Sequence, residues 1–291
     1  MMGGLVAESA VLSAFTRINV PTNQTRFPII SALPTAYFVN GDTGLKQTTE
    51  VNWTNAYINI EELAAIVPIP DAVIADAGFD VFGSVRPLLQ QAIGRALDNA
   101  VLFNVSKPAA WPTAVVAAAV AASNVVARGT NTAADGGIAE DINDLLATLE
   151  ADGYMASAFI GNPLFKRFLR GARGTDGQLL LDVNGGTSSI WGVNAVYSMP
   201  GLWPTGASAA ELIALQRENF IVGIRQDFTF TIHNEGVITD DAGLILFNLM
   251  QQDMTALRVV FRVGFAVSNA INYQQGTEGS RYPAAVLRSP A

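Results

Sequence analysis

A chain of 291 residues with no cysteine and one histidine excludes disulfide frameworks, thiolate nucleophiles, Cys-based zinc sites and multi-histidine metal centres. Its net charge of −8 argues against a dedicated nucleic-acid binder, whose affinity comes mostly from Lys and Arg clustered against phosphates. Half of the residues are hydrophobic and only 14% are charged, a deficit of charged surface that extensive contact with other subunits would account for.

The length suits one large domain or two medium ones with a sizeable core. The opening MMGGLVAESAVLSAF lacks the charged and compact apolar regions of a signal peptide. The most apolar run, Ala114 to Ala122, is far short of the ~20 residues a membrane span needs, so a soluble protein is expected.

Residues 1–27 read as an N-terminal arm with a brief helix around Ser9 to Thr16 and a break from Pro21 to Gln24. From Phe27, FPIISALPTAYFV favours extended chain because of Pro28 and Pro34. Asn40-Gly41 and Asp42-Thr43-Gly44 supply turn chemistry. The returning KQTTEVNWTNAYINIEEL places Val51 and Trp53 on one face and Glu50, Asn52 and Thr54 on the other. Residues 28–67 thus form a two-stranded loop whose limbs could each reach ~50 Å. It has too few apolar residues to fold alone. An arm docked on a neighbour fits better than an ordinary surface hairpin.

After VPIPDAVIADAG, the segment 79–103 reads as one helix about 38 Å long. Phe82, Val85, Leu89, Ile93, Ala96 and Ala100 make a buried stripe, widened by Leu88, Ala92, Leu97 and Val101. Pro87 leaves two options. A start near Asp80 puts it inside the helix, at roughly 3 kcal/mol, whereas Ser84 as N-cap puts it harmlessly in the first turn. Either option predicts a kink or restart near Gly83-Ser84.

A helix is predicted from Thr113 to Ala127, then the amphipathic IAEDINDLLATLEADG, ended by Gly153, with Ile138, Ile142, Leu145, Leu146 and Leu149 inward. MASAFI is a predicted strand. Asn162-Pro163 caps a short helix, LFKRFLR, closed by Gly171. LLLDV, SIWGVNAVYS and ELIALQ read as further strands. In the last third, Phe228, Phe230 and Ile232 alternate with Thr229, Thr231 and His233. GLILFNLM is expected to be a helix or an irregular link. In ALRVVFRVGFAV, residues Val259, Phe261, Val263 and Phe265 oppose Arg258, Val260 and Arg262. The tail from Gln274 is expected to be irregular.

No chemistry emerges from the candidates. His233 on a polar strand face is several times more often a surface or interface residue than a catalytic base. Glu61-Glu62 and Asp240-Asp241 sit near expected element ends, where capping or solvated charge accounts for them. NGDTG, GTDGQ and NGGTSS lack phosphate-cradling spacing. Lys166, Arg167, Arg170 and Arg173 form the densest positive patch, suited to phosphate or to inter-subunit ion pairs. No enzyme and no cofactor are expected; a hydrolase or binding protein with an α+β core is the alternative from another class.

The succession TAYFVNGDTGLKQTTEVNWTNAYINIEELAAIVPIPDAVIADAGFDV, then a rod ending LDNAVLFN, resembles the extended loop and spine helix of tailed-phage major capsid proteins of the HK97 type. MASAFIGNPLFKRFLRGARGTDGQLLL, SIWGVNAVYSMPG and RVVFRVGFAVSNA extend the resemblance over roughly residues 27 to 273. It implies an α+β fold with an N-terminal arm (1–27) and an extended loop (28–67). A peripheral (P) domain would take 68–107 and 226–264, and an axial (A) domain and tail 108–225 and 265–291.

It further implies hexamers and pentamers closing an icosahedral shell around double-stranded DNA in the virion, assembled in the host cytoplasm. Portal, scaffolding and decoration proteins would be partners, and no membrane would be. An encapsulin-type nanocompartment shares the fold and is the nearest alternative. Expected inter-subunit contacts are Lys46, Trp53, Tyr57, Arg167, Arg170, Arg173, Arg258 and Arg262. Some relatives join a loop lysine to a P-domain asparagine, promoted by a glutamate. Lys46 stands in the loop position, but Asp253 and Val260 stand where the other two would fall, so no isopeptide cross-link is expected. The long N-terminal scaffolding segment of some relatives is not seen, which points to a separate scaffolding protein or a processed chain.

Overall fold

The computed structural model describes residues 9–39, 44, 46, 48–173, 178 and 188–290. The expected turn at residues 40–43, the predicted strand LLLDV and most of GTDGQ and NGGTSS lie outside them.

Two sheets carry the fold. The first has strand order β1-β9-β12-β3-β2, from β1 (Thr16–Asn19), β2 (Gln24–Ala32), β3 (Asn52–Pro70), β9 (Phe220–His233) and β12 (Met254–Val267). The alternation in β12 is real: Val259, Phe261, Val263 and Phe265 are buried on one face, while Arg258 is exposed on the other. Helix α1 (Ala10–Ala14) precedes β1, and the short α2 (Asp71–Asp76) follows β3. The long helix α3 (Val81–Phe103) crosses the apolar face.

Asp80 caps α3 by accepting from Gly83 N at 2.9 Å. The helix therefore starts at the first of the two expected places and runs unbroken through Pro87, with no restart at Gly83-Ser84. Leu89, Ile93, Leu97, Ala100 and Val101 are buried, but Leu88, Ala92 and Ala96, expected on the stripe, face solvent. The buried face instead includes Gly94 and Asp98.

Residues 9–20 depart from the reading as an arm. Val11, Leu12 and Phe15 are fully buried, and Phe15 stacks on Phe220 with centroids 4.9 Å apart. Apolar side chains at 11, 12 and 15 close one face of this single helical turn onto the core.

The second sheet has order β4-β13-β8-β5-β7-β6, from β4 (Val125–Ala127), β5 (Ala158–Gly161), β6 (Ser189–Ile190), β7 (Val193–Tyr197), β8 (Ala210–Leu215) and β13 (Ala284–Arg288). Three expectations change here. The predicted helix 113–127 is only α4 (Val115–Ala121); Ser123 turns the chain at φ 66°, and residues 125–127 pair with β13. The strand expected from Met155 starts at Ala158. The tail is not irregular throughout, since β13 is a central strand whose Ala284–Leu287 are fully buried. Helices α5 (Ile138–Ala151) and α6 (Lys166–Gly171) cover one face of this sheet, burying Ile142, Leu145, Leu149 and Leu169.

The other face shares one continuous apolar core with α3 and the first sheet. β9 and β12 themselves run across the residue 225/226 and 264/265 junctions. Residues 237–248 form a separate two-stranded hairpin, β10 (Val237–Thr239) with β11 (Ile245–Asn248), instead of a helix or irregular link. Among the described residues no helix is long and apolar enough to cross a membrane.

Candidate assembly surfaces

The loop departs from the sheet as one continuous strand. Residues 60–70 of β3 pair with β12, and residues 52–59 pair with β2 from Gln24↔Asn59 to Ala32↔Asn52. The ladder thus runs from Gln24 to Pro70, wider than the expected 28–67. It also puts Glu61 and Glu62 in mid-strand, not at an element end.

The root of the loop is clamped. Asn59 O accepts from Trp111 Nε1 at 3.0 Å, and Asn59 Nδ2 donates to Ala110 O at 3.0 Å. Ile58 is fully buried with Val20, Ile60 and Ala266. On the outgoing limb, Ile271 N donates to Ile30 O at 3.3 Å and Tyr273 Oη to Pro34 O at 3.0 Å.

Among the described residues of the hairpin beyond its root, none is buried. Trp53 is 59% exposed and Tyr57 45%, both on one strand face, and Tyr37, Phe38 and Val51 are exposed nearby. Polar ties across the hairpin, such as Arg26 Nε to Asn55 Oδ1 at 2.6 Å, hold the two strands together. Lys46 is exposed. Asp253 is exposed and offers its carbonyl to Asp71 N at 2.8 Å. Val260 is buried within β12.

The basic cluster lies on and just after α6. The Asn162 side chain accepts from Leu164 N at 3.0 Å and starts the turn that leads into it. Lys166 lies over the Tyr197 ring at 4.1 Å, and Arg167 over Phe168 at 4.4 Å, while Arg170 and Arg173 are exposed. Arg167 and Arg173 border a concavity of ≈ 460 Å³. Its lining also includes Arg128, which stacks on Phe168 at 3.9 Å and pairs with Glu211 at 2.6 Å.

Arg258 and Arg262 stand apart from this cluster, on the polar face of the first sheet. With Glu62, Thr229, Thr231 and His233 they line a groove of ≈ 250 Å³. Arg262 reaches Glu62 only at 3.9 Å, and its Nε is buried without a hydrogen bond. His233 ends β9, exposed, with Nε2 3.1 Å from Thr231 Oγ1. Asp240 takes the expected capping role: its Oδ1 accepts from Ala242 N and Leu244 N at 3.0 and 2.8 Å.

Sequence reasoning missed one apolar surface. Val237, Leu244, Ile245, Leu246 and Met250 are all at least half exposed on and beside the β10–β11 hairpin. An isolated two-stranded sheet is marginal in water, and this one carries a cluster of exposed apolar side chains. The signal was present in the run GLILFNLM flanked by Asp-Asp-Ala-Gly, a turn sequence before an apolar strand. Among the described residues no group of His, Asp or Glu is placed to hold a metal.

The Phage capsid family matches residues 1–273. The major capsid protein of Staphylococcus phage 80alpha is 24% identical over 250 residues, covering 84% of this chain and 72% of that one. A solved structure from Microbacterium phage Oxtober96 superposes with a TM-score of 0.83 at 35% identity, covering 97% of this chain and 91% of the other. One from Mycobacterium phage Adephagia gives 0.84 at 27% identity, covering 98% and 91%. The capsid of a native GTA particle shares the fold, with a TM-score of 0.67 at 16% identity over 97% and 90% of the two chains. An extended loop whose described residues beyond the root are not buried, a long helix across a mixed sheet and this set of relatives agree: the chain belongs to the phage capsid family, as a major capsid protein with the HK97-like fold that forms the multimeric shell of the virion.

Proposed function

We propose that copies of this chain form hexamers and pentamers that close an icosahedral shell around double-stranded DNA. The observation that carries the proposal is the β2–β3 hairpin. It is clamped at its root and solvent-exposed beyond it, with Trp53 and Tyr57 presented on one face. Large aromatic side chains held on a rigid two-stranded support make good interface anchors. Their place in the assembly is the surface of the adjacent subunit. Lys46, Arg167, Arg170, Arg173, Arg258 and Arg262 serve as polar contacts around it.

In this reading residues 68–107 and 226–264 act as the P domain, and 108–225 with 265–291 as the A domain. The shell is non-covalent, because Asp253 and Val260 supply neither the acceptor nor the promoter that a Lys46 isopeptide bond requires. Its role is structural and not enzymatic. DNA is enclosed without sequence-specific binding, in keeping with the net charge of −8. Portal, scaffolding and decoration proteins complete the particle, which assembles in the host cytoplasm.

Negative-stain microscopy of the purified protein tests the assembly: closed shells are expected, and a compact monomer under all conditions overturns the reading. On a denaturing gel, mature particles should run as single subunits, and a ladder of covalent multimers would refute the non-covalent shell.

A further inference from the structure

The long helix carries one ionisable side chain on its buried face, Asp98, which is completely inaccessible to solvent. Its carboxylate faces the beginning of α1. Oδ1 accepts from Ser9 Oγ at 2.6 Å and from Val11 N at 3.1 Å, and Oδ2 accepts from Ala10 N at 2.9 Å. Ser9 Oγ in turn accepts from Leu12 N at 3.2 Å. These four contacts are the polar part of a seam otherwise made of apolar side chains.

No cation meets the carboxylate in the described residues. Helices α1 and α4 and strand β5 carry no ionisable side chain. β7 offers only Tyr197, whose ring lies under Lys166. Arg95, three residues away on α3, sends its guanidinium to Gly201 O at 2.6 Å. Arg258 and Arg262 of β12 lie on the far face of the first sheet, and Glu61 of β3 lines a groove beside Ala96 and Ala100 that Glu62 also borders.

We infer that Asp98 makes the seam between the N-terminal helix and the long helix pH-responsive, holding α1 more tightly in acid than at neutral pH. A buried carboxylate without a cation is costly even with three donors. Burial raises the Asp98 pKa from 3.8 to about 6, and the Ser9, Ala10 and Val11 hydrogen bonds offset only part of that rise. Oδ2 accepts a single hydrogen bond, so it can take the proton and still accept from Ala10.

The sign follows from linkage. The docked state has the raised pKa, so its advantage is fully present below the ordinary carboxylate value and is lost as pH rises through about 6. Opening the seam returns Asp98 to water and to its ordinary pKa. Between pH 5 and pH 7 this weakens docking about tenfold.

The test is hydrogen exchange of the full-length protein, comparing protection factors for residues 10–15 at pH 5, 6 and 7, each corrected for the intrinsic exchange rate. Protection is expected to fall about tenfold from pH 5 to pH 7 in the native chain and to stay level in Asp98→Asn. A level profile in the native chain overturns the inference, as does a retained slope in Asp98→Asn. If Asp98→Asn does not fold, Ser9→Ala replaces it. Loss of one donor should move the midpoint of the native profile upward, and an unmoved midpoint overturns the inference equally.

Discussion

Gly223 and Gly264 are cross-strand partners in β9 and β12, and both face the side chain of Ile58. A Cβ on Gly264 would sit 2.6 Å from Asn59 O and 2.7 Å from Ile58 Cγ2; one on Gly223 would sit 2.8 Å from Val20 Cγ2 and 2.9 Å from Ile58 Cγ2. The paired glycines let the root of the loop lie directly on the sheet. Asn59, the residue pressed onto Gly264, is also the one that Trp111 holds from the other side.

Gly264→Ala should therefore cost about 1–3 kcal/mol, because its nearest obstacle is a backbone oxygen held in place by Trp111. Gly223→Ala should cost less, since it meets side-chain methyls that can shift. Denaturant unfolding of unassembled subunits checks the order of the two.

Trp53→Ala with Tyr57→Ala should leave the isolated subunit within about 0.5 kcal/mol of native, as neither side chain packs on a core. Assembly should nevertheless fail or shift to much higher protein concentration, each anchor contributing about 2 kcal/mol per interface. Light scattering across a concentration series separates the two effects. Normal assembly would remove these residues from the interface.

Pro87→Ala should stabilise the unassembled subunit by about 1–3 kcal/mol. It returns an N–H to the Gly83 carbonyl in the interior of α3, and Pro87 is exposed, so no packing is lost. A thermal melt measures it, and a decrease would mean that Pro87 makes a contact worth more than the restored hydrogen bond.

Tyr282→Phe should be neutral or stabilising by about 1 kcal/mol. The phenol oxygen is buried without a hydrogen-bond partner, and burial pushes its pKa far upward. The ring, edge-on to Phe220 at 5.9 Å, is kept by the substitution. Destabilisation beyond about 1 kcal/mol would show that the hydroxyl has a partner, such as a bound water.

The features visible in the sequence were those that a single element expresses by itself. Alternation in β12 and the Asn162-Pro163 cap are local patterns, and the chain followed them. What could not be read depended on distant partners. AAVLR becomes a central strand because β4 and β8 flank it, although its own neighbourhood is full of Pro, Gly and Ser. GLILFNLM has a composition that suits helix or strand, and pairing with residues 237–239 decides the matter. Asp98 was legible in principle. It lies four residues from both Gly94 and Leu102 on the buried side, and a lone acid among apolar helix positions points to a buried partner. The succession of elements in the second half of the loop was clear, but in the proposed assembly the surface its aromatic residues meet would belong to another molecule.

The unbroken course of β3 has a mechanical consequence. A pull on the hairpin travels along the strand axis into the ladder between β3 and β12, where hydrogen bonds lie across the line of force. The eleven residue pairs from Ile60↔Gly264 to Pro70↔Met254 then share the load in shear, instead of parting one at a time as in peeling. In the proposed assembly, a neighbour pulling on this hairpin would load the whole length of that ladder at once.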